Sequence, residues 1–143
     1  MKISTRGRYA LRVMIDLAEN NTGGYIPLKD VASRQDISQK YLEGIMTDMS
    51  KAGMIEALHG KGGGYRLNRD PSDYTVGEIL RVTEGDLAPV ACLAENAPLC
   101  ERRENCRTLG MWKEFSAMIN GFFDNITLAD LAKDGNDGGN YVI

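Results

Sequence analysis

The chain is poor in the residues that most enzymes and secreted scaffolds depend on. It has one histidine, one tryptophan, four prolines and three cysteines. With His59 as the sole imidazole, set in a glycine-rich run, there is no Ser/His/Asp arrangement to read, and the chain is expected not to be an enzyme. An odd cysteine count packed between positions 92 and 106 does not fit an extracellular disulfide framework. In a reducing compartment such a group points to metal binding or thiol chemistry. No apolar run approaches the roughly 20 residues needed to cross a bilayer, and the N-terminus lacks the apolar stretch of a secretory signal. A cytoplasmic protein without membrane attachment is expected.

The 143 residues are 43% hydrophobic, enough to bury a core. The net charge of -3 conceals an asymmetry. Residues 1–70 carry 11 Lys and Arg against 8 Asp and Glu, whereas residues 71–143 carry 6 against 12. A basic front half is compatible with a nucleic-acid partner but does not demand one.

Periodicity supplies the architecture. Tyr9, Ala10, Val13, Met14, Leu17 and Ala18 recur at helical spacing, and the run 20–24 ends that helix. Pro27 can open a second helix with Leu28, Val31 and Ala32 inward. Ser38 reads as the N-cap of a third, running to about Ala52 with Tyr41, Leu42, Ile45, Met46 and Met49 inward. Residues 54–58 and 65–67 are short strands around the glycine-rich tip His59-Gly60-Lys61-Gly62-Gly63-Gly64. That tip matches a wing and not a phosphate-binding loop.

Thr75-Val76-Gly77-Glu78 fits a capping box for a fourth helix ending near Gly85. A longer helix is predicted over 108–123, with Leu109, Trp112, Phe115, Ile119, Phe122 and Phe123 on one stripe, and Thr127 can cap a short last one. The fold class is therefore mainly α with a small β-hairpin wing: a winged helix-turn-helix domain plus a long C-terminal dimerisation helix. The expected divisions are a DNA-binding domain at 1–85, a cysteine-bearing sensor loop at 86–107, the dimerisation and terminal helices at 108–132, and a flexible tail at 133–143.

In such a domain the third helix fits the major groove. Its candidate DNA-reading residues are Ser38, Gln39, Lys40, Tyr41 and Glu43, with Thr47 and Asp48 further along. Glutamine can pair with adenine and glutamate can accept from the cytosine amine. Lys2, Arg6, Arg8 and Arg12 around it, with Lys61, Gly62 and Gly63 on the wing, are candidates for the phosphate backbone. The apolar stripe of the long helix is more than a late helix in a small monomer easily covers, so homodimerisation through it is expected. A two-fold dimer would read a palindromic operator in double-stranded DNA.

The motifs Lys2-Ile3-Ser4-Thr5-Arg6-Gly7-Arg8-Tyr9-Ala10-Leu11-Arg12, Ser38-Gln39-Lys40-Tyr41-Leu42-Glu43 and Gly62-Gly63-Gly64-Tyr65-Arg66-Leu67 resemble the IscR/NsrR/CymR-type (Rrf-two) family of winged helix-turn-helix bacterial regulators. Val76-Gly77-Glu78-Ile79 and Asp124-Asn125-Ile126-Thr127-Leu128-Ala129-Asp130-Leu131 extend the resemblance over nearly the whole chain. It implies a dimeric repressor or activator whose Cys92, Cys100 and Cys106 hold an iron–sulfur cluster, 2Fe-2S or 4Fe-4S, which an aerobic preparation can lose. The genes implied are those of cluster biogenesis or redox and nitrosative stress. It also implies a part for Glu43 in cluster-dependent choice between operators.

The pattern departs from the cluster-binding members in two places. The gap between Cys92 and Cys100 is longer, and Leu109 stands where a histidine ligand is expected. Where some relatives recruit a carboxylate from the partner's first helix, this chain has Arg8. Glu101, Glu104, a small thiol or water are the fourth donors left. The alternatives are zinc, ordinary buried thiols, and a cofactor-free regulator of cysteine metabolism controlled by a thiol switch or an enzyme partner. For that last reading, Tyr141-Val142-Ile143 is a candidate docking tail.

Overall fold

A computed structural model describes residues 1–132; the tail at 133–143, with the candidate docking residues, lies outside the described residues. The order of elements is α1 (Thr5–Glu19), α2 (Leu28–Gln35), α3 (Gln39–Lys51), β1 (Ile55–Leu58), β2 (Gly64–Leu67), α4 (Val76–Glu84), α5 (Leu109–Asp124) and α6 (Leu128–Leu131). Single 3-10 turns lie at Pro71–Asp73 and Ala91–Leu93. This is the winged helix-turn-helix expected, mainly helical with one antiparallel hairpin.

Local chemistry sets the helix boundaries. Ser4 is extended and its hydroxyl accepts the Gly7 N–H at 3.0 Å, starting α1. Asp36 stops α2 by turning left-handed at φ 54°, a conformation that Asp tolerates better than most residues. Two residues later Ser38 caps α3 by accepting from Tyr41 N–H at 3.1 Å. Ala10, Val13, Met14 and Leu17 of α1 meet Val31 of α2 and Leu42, Ile45, Met46 and Met49 of α3 in one core. Tyr41 departs from the expected inward set. It is exposed and lies edge-on to Tyr9, ring centres 5.6 Å apart, while its neighbour Leu42 takes the core-facing position of that turn.

Asp16 ties the first two helices together. It is 1% exposed and accepts from Arg34 Nε at 3.0 Å, Arg34 Nη2 at 2.8 Å and Gln35 Nε2 at 2.9 Å. A buried carboxylate with three donors from α2 is fully satisfied, as a buried charge must be.

The hairpin register runs from Ile55 opposite Leu67 to Leu58 opposite Gly64. Its second strand is also fastened to the α1–α2 connector, where Ile26 and Tyr65 exchange backbone hydrogen bonds of 2.8 and 2.9 Å. Glycine at 64 permits that approach, since a Cβ there would lie 2.2 Å from the Ile26 carbonyl oxygen. Gly64→Ala must therefore push the wing off the connector. The expected loss is roughly 1–3 kcal/mol of stability, as for other overpacked sites. It should come with weaker DNA binding, read by urea unfolding and a mobility-shift titration on the same protein. Unchanged unfolding would show that the bridge does not hold the wing.

Thr75 caps α4 through Glu78 N–H at 3.0 Å, but the Glu78 carboxylate pairs with Arg69 at 2.9 Å. The reciprocal box forms at α6 instead, where Thr127 and Asp130 satisfy each other's backbone N–H. That short helix reaches two hydrophobic clusters, since Leu131 packs beside Ile119 and Phe123 of α5. Leu128 is fully buried in the main core beside Tyr74, and its N–H donates to the Tyr74 carbonyl at 2.9 Å. A second cluster of Val76, Leu80 and Leu87 receives Ile3 and Leu11 from the N-terminal end, and Ile119 and Phe123 from α5. Arg81 locks the joint between α4 and α5, donating to both Asp124 oxygens at 2.8 and 2.9 Å and to Asn120 at 2.6 Å.

Candidate DNA interface and cysteine pocket

Two places gather the chemistry-bearing residues. The first is an open cleft of about 450 Å³ between α3 and the wing. Gln39 and Glu43 line one wall, with His59, Gly60 and Gly63 opposite and Lys29 of α2 at its edge. Neither Lys29 nor His59 is among the DNA contacts read from the sequence. Only the fold of the hairpin against α3 brings them there.

The other sequence candidates divide by what already engages them. Lys2, Gln39, Lys40 and Lys61 are exposed. Gly62 takes φ 76° at the wing tip, and a Cβ on Gly63 would lie 2.1 Å from the Leu58 carbonyl oxygen, so both glycines hold the turn. The Ser38 hydroxyl serves as the α3 cap and the Thr47 hydroxyl donates to the Glu43 carbonyl at 2.8 Å. Arg8 bonds Thr5 Oγ1 at 2.9 Å. Arg12 holds Gln35 and lies 5.2 Å from the Tyr9 ring centre. Arg6 is engaged with Asp48 of α3.

The second place is a pocket of about 230 Å³ between the loop and the start of α5, and Cys92, Cys100 and Cys106 all line it. Arg103 and Lys113 bring positive charge to its wall, and Leu109 lines it with hydrocarbon. All three thiols are free and exposed. Thr108 holds the Cys106 thiol below its ordinary range, through its hydroxyl at 3.5 Å and its backbone N–H, helped by Leu109 N–H and the Arg102 charge. The start of a helix favours a thiolate in this way. Among the described residues no three Cys, His, Asp or Glu side chains stand close enough to enclose a metal ion. The sulfurs thus share one pocket without being closed around a common point. Glu101 and Glu104, the carboxylates considered as further donors, do not line it.

The stripe on α5 splits into two faces. Ile119 and Phe123 turn toward the α4 cluster, while Met111, Phe115, Met118 and Phe122 are exposed at 53, 42, 65 and 51%. Leu109 and Trp112 are half-buried, the latter 6.4 Å ring to ring from Phe115. The two methionines extend the outward face beyond the aromatic stripe read from the sequence. Among the described residues no helix is long and apolar enough to cross a membrane.

A family profile described as "Rrf2: Iron-dependent Transcriptional regulator" matches residues 3–134. The chain is 36% identical over 136 residues to the HTH-type transcriptional regulator IscR of Photobacterium profundum, a match that covers 95% of this chain and 78% of that relative. CymR (YrzC), the global cysteine regulator of B. subtilis, superposes with a TM-score of 0.75 at 34% identity, covering 94% of this chain and 99% of that one. T. potens IscR superposes with a TM-score of 0.73 at 33% identity, covering 100% and 93%. These relatives are transcriptional regulators, and a helix-turn-helix protein lays the second helix of the pair in the major groove of a duplex. The chain belongs to the Rrf2 family and is a DNA-binding transcriptional regulator.

Proposed function

We propose that this regulator acts in the cytoplasm as a homodimer on a palindromic operator and is controlled by an iron–sulfur cluster held by Cys92, Cys100 and Cys106. The observation that carries the reading is the convergence of all three thiols on one pocket with Arg103 and Lys113 in its wall. Thiolates are the usual ligands of such clusters, and nearby cations offset their negative charge. The donor set is chemically suited to a cluster, but the sulfurs stand apart as they are, so in this reading the loop must draw them together, and Leu109 adds no side-chain donor for a fourth position. When bound, the cluster supplies an iron site that responds to oxygen, nitric oxide or iron supply. The target genes in this reading are those of cluster biogenesis or redox and nitrosative stress.

On the DNA side, α3 enters the major groove with Gln39, Lys40 and Glu43 toward base edges, while Lys2, Arg8 and Lys61 meet phosphates. The outward face Met111, Phe115, Met118 and Phe122, with half-buried Leu109 and Trp112, packs against a second α5. A two-fold dimer sets two α3 helices about one helical turn of DNA apart.

Purification without oxygen, followed by absorption spectroscopy and iron and sulfide assays, tests the cluster. The expected result is a brown protein with stoichiometric iron and sulfide. Colour should be lost in each of Cys92→Ala, Cys100→Ala and Cys106→Ala while the fold is kept, because exposed positions tolerate substitution within about 0.5 kcal/mol. A protein that stays colourless after anaerobic reconstitution rejects the cluster.

The exposure of the three thiols and their open arrangement favour a second reading, a cofactor-free regulator of cysteine metabolism switched by thiol oxidation or by an enzyme partner. It predicts DNA affinity that changes with thiol oxidation or on addition of that partner, in a protein that never holds iron.

A further inference from the structure

Arg6, a cation read from the sequence as a phosphate contact, is already engaged within the protein. Arg6 Nε donates to Asp48 Oδ2 at 3.2 Å, and its Nη2 makes a shorter contact to the same oxygen. Asp48 lies on α3, four residues beyond Gly44, on the same side of the helix. The guanidinium rests against the backbone at Gly44, where a Cβ would stand 3.3 and 3.4 Å from its two terminal nitrogens. Glycine inside a helix costs stability, and here it leaves room for the plane of an arginine from another helix. Three residues on two elements therefore agree on one arrangement.

We propose that Arg6 is a positioning residue for DNA recognition, acting through Asp48 and not through a phosphate. The inference rests on the reading of α3 as the DNA-reading helix. The pair does two things. It fixes the middle of α3 against the first turn of α1, whose own start is tied to α4 through Ser4 and Glu84 at 2.6 Å. It also cancels a carboxylate that would otherwise stand on the DNA-facing helix and repel the phosphates. Both side chains are about one-third exposed, at 36 and 38%, so the pair adds little to stability. Its substitution should leave a folded protein.

The test measures binding of the full chain to a duplex that the wild-type protein selects from random sequence, and to an unrelated duplex of equal length, across a salt series. Each phosphate contact contributes about 0.9 to the slope of log affinity against log salt. Arg6→Gln is expected to weaken binding to the selected duplex about tenfold, with the slope unchanged, because an anionic Asp48 is uncovered and no phosphate contact is removed. Asp48→Asn is expected to tighten binding to both duplexes and steepen the slope by about one, as the freed guanidinium finds a phosphate. The double variant Arg6→Gln/Asp48→Asn should return to within about threefold of wild type, a rescue that a lost phosphate contact does not allow.

A slope shallower by about one in Arg6→Gln, with a double variant as weak as the single, overturns the proposal and makes Arg6 a direct phosphate contact. Gln39→Ala and Lys40→Ala serve as the control on the underlying reading. If both bind the selected duplex like wild type, α3 is not on the DNA and the latch falls with it, a result distinct from failed rescue alone.

Discussion

Leu128→Ala is expected to lower the unfolding free energy by about 2–5 kcal/mol, the range for truncating a fully buried leucine. For a chain of this size that is a fall in Tm of roughly 5–15 °C. A four-residue helix near the end of the chain would ordinarily be taken as dispensable. Leu128 nevertheless has no exposed surface and sits in the same core as α1 and α3. The backbone at and just before it is fastened too: Val76 N–H donates to the Ile126 carbonyl and Leu128 N–H to the Tyr74 carbonyl, each at 2.9 Å. The neighbours that would have to collapse into the vacated space are held by these bonds, which favours the upper half of the range. Since typical domains are stable by only about 5–15 kcal/mol, the variant should be marginal at growth temperature. Urea unfolding with an unchanged m value checks it. A loss below about 1 kcal/mol would place α6 outside the cooperative core.

The second large effect is an asymmetry. Arg34→Ala is expected to cost more than Asp16→Ala, with the former near about 3 kcal/mol or above. The Asp16 side chain is 2% exposed and that of Arg34 39%. Remove Asp16, and the guanidinium turns to water. Remove Arg34, and a buried carboxylate keeps only Gln35. The penalty follows the group left behind without solvent, not the bond that was broken. Combining the two substitutions should therefore recover part of the loss caused by Arg34→Ala alone. Equal single costs, or fully additive ones, would show that water reaches Asp16. The measurement is the same unfolding series on the two single variants and the double.

Features encoded within a few residues were legible in the sequence. Ser38 and Thr127 are caps as read, because a cap involves only the next three residues. The glycine run at 60–64 makes the turn between two short strands, because only glycine accepts several of those backbone angles. Where a local rule met a distant competitor, the distant one prevailed. Glu78 belongs to a capping motif by spacing, yet its carboxylate goes to Arg69. Arg6 and Arg81 pair with Asp48 and Asp124, which lie 42 and 43 positions away. The helical period also failed to separate the two faces of α5, since Ile119 and Phe123 differ from Phe115 and Phe122 only in what the fold sets beside them. The convergence of Cys92, Cys100 and Cys106 on one pocket could be anticipated only from their crowding, because an irregular loop carries no period from which to infer direction.

The Arg81 joint bears on those thiols from a distance. It pins α4, from which the segment 86–107 departs, to the far end of α5, and Asp86 draws in the segment's first half by accepting N–H bonds from Ala88 and Glu95 at 3.1 Å. The cysteines are thereby tethered between two helices of one joined pair. The entropy of bringing such a loop's ends together is settled when the domain folds. A reagent captured by one sulfur then meets the other two at an effective concentration set by the tether, in the millimolar range for short flexible links. In the proposed function, avidity of this kind is what would let three exposed thiols keep a multivalent partner that a single cysteine would release.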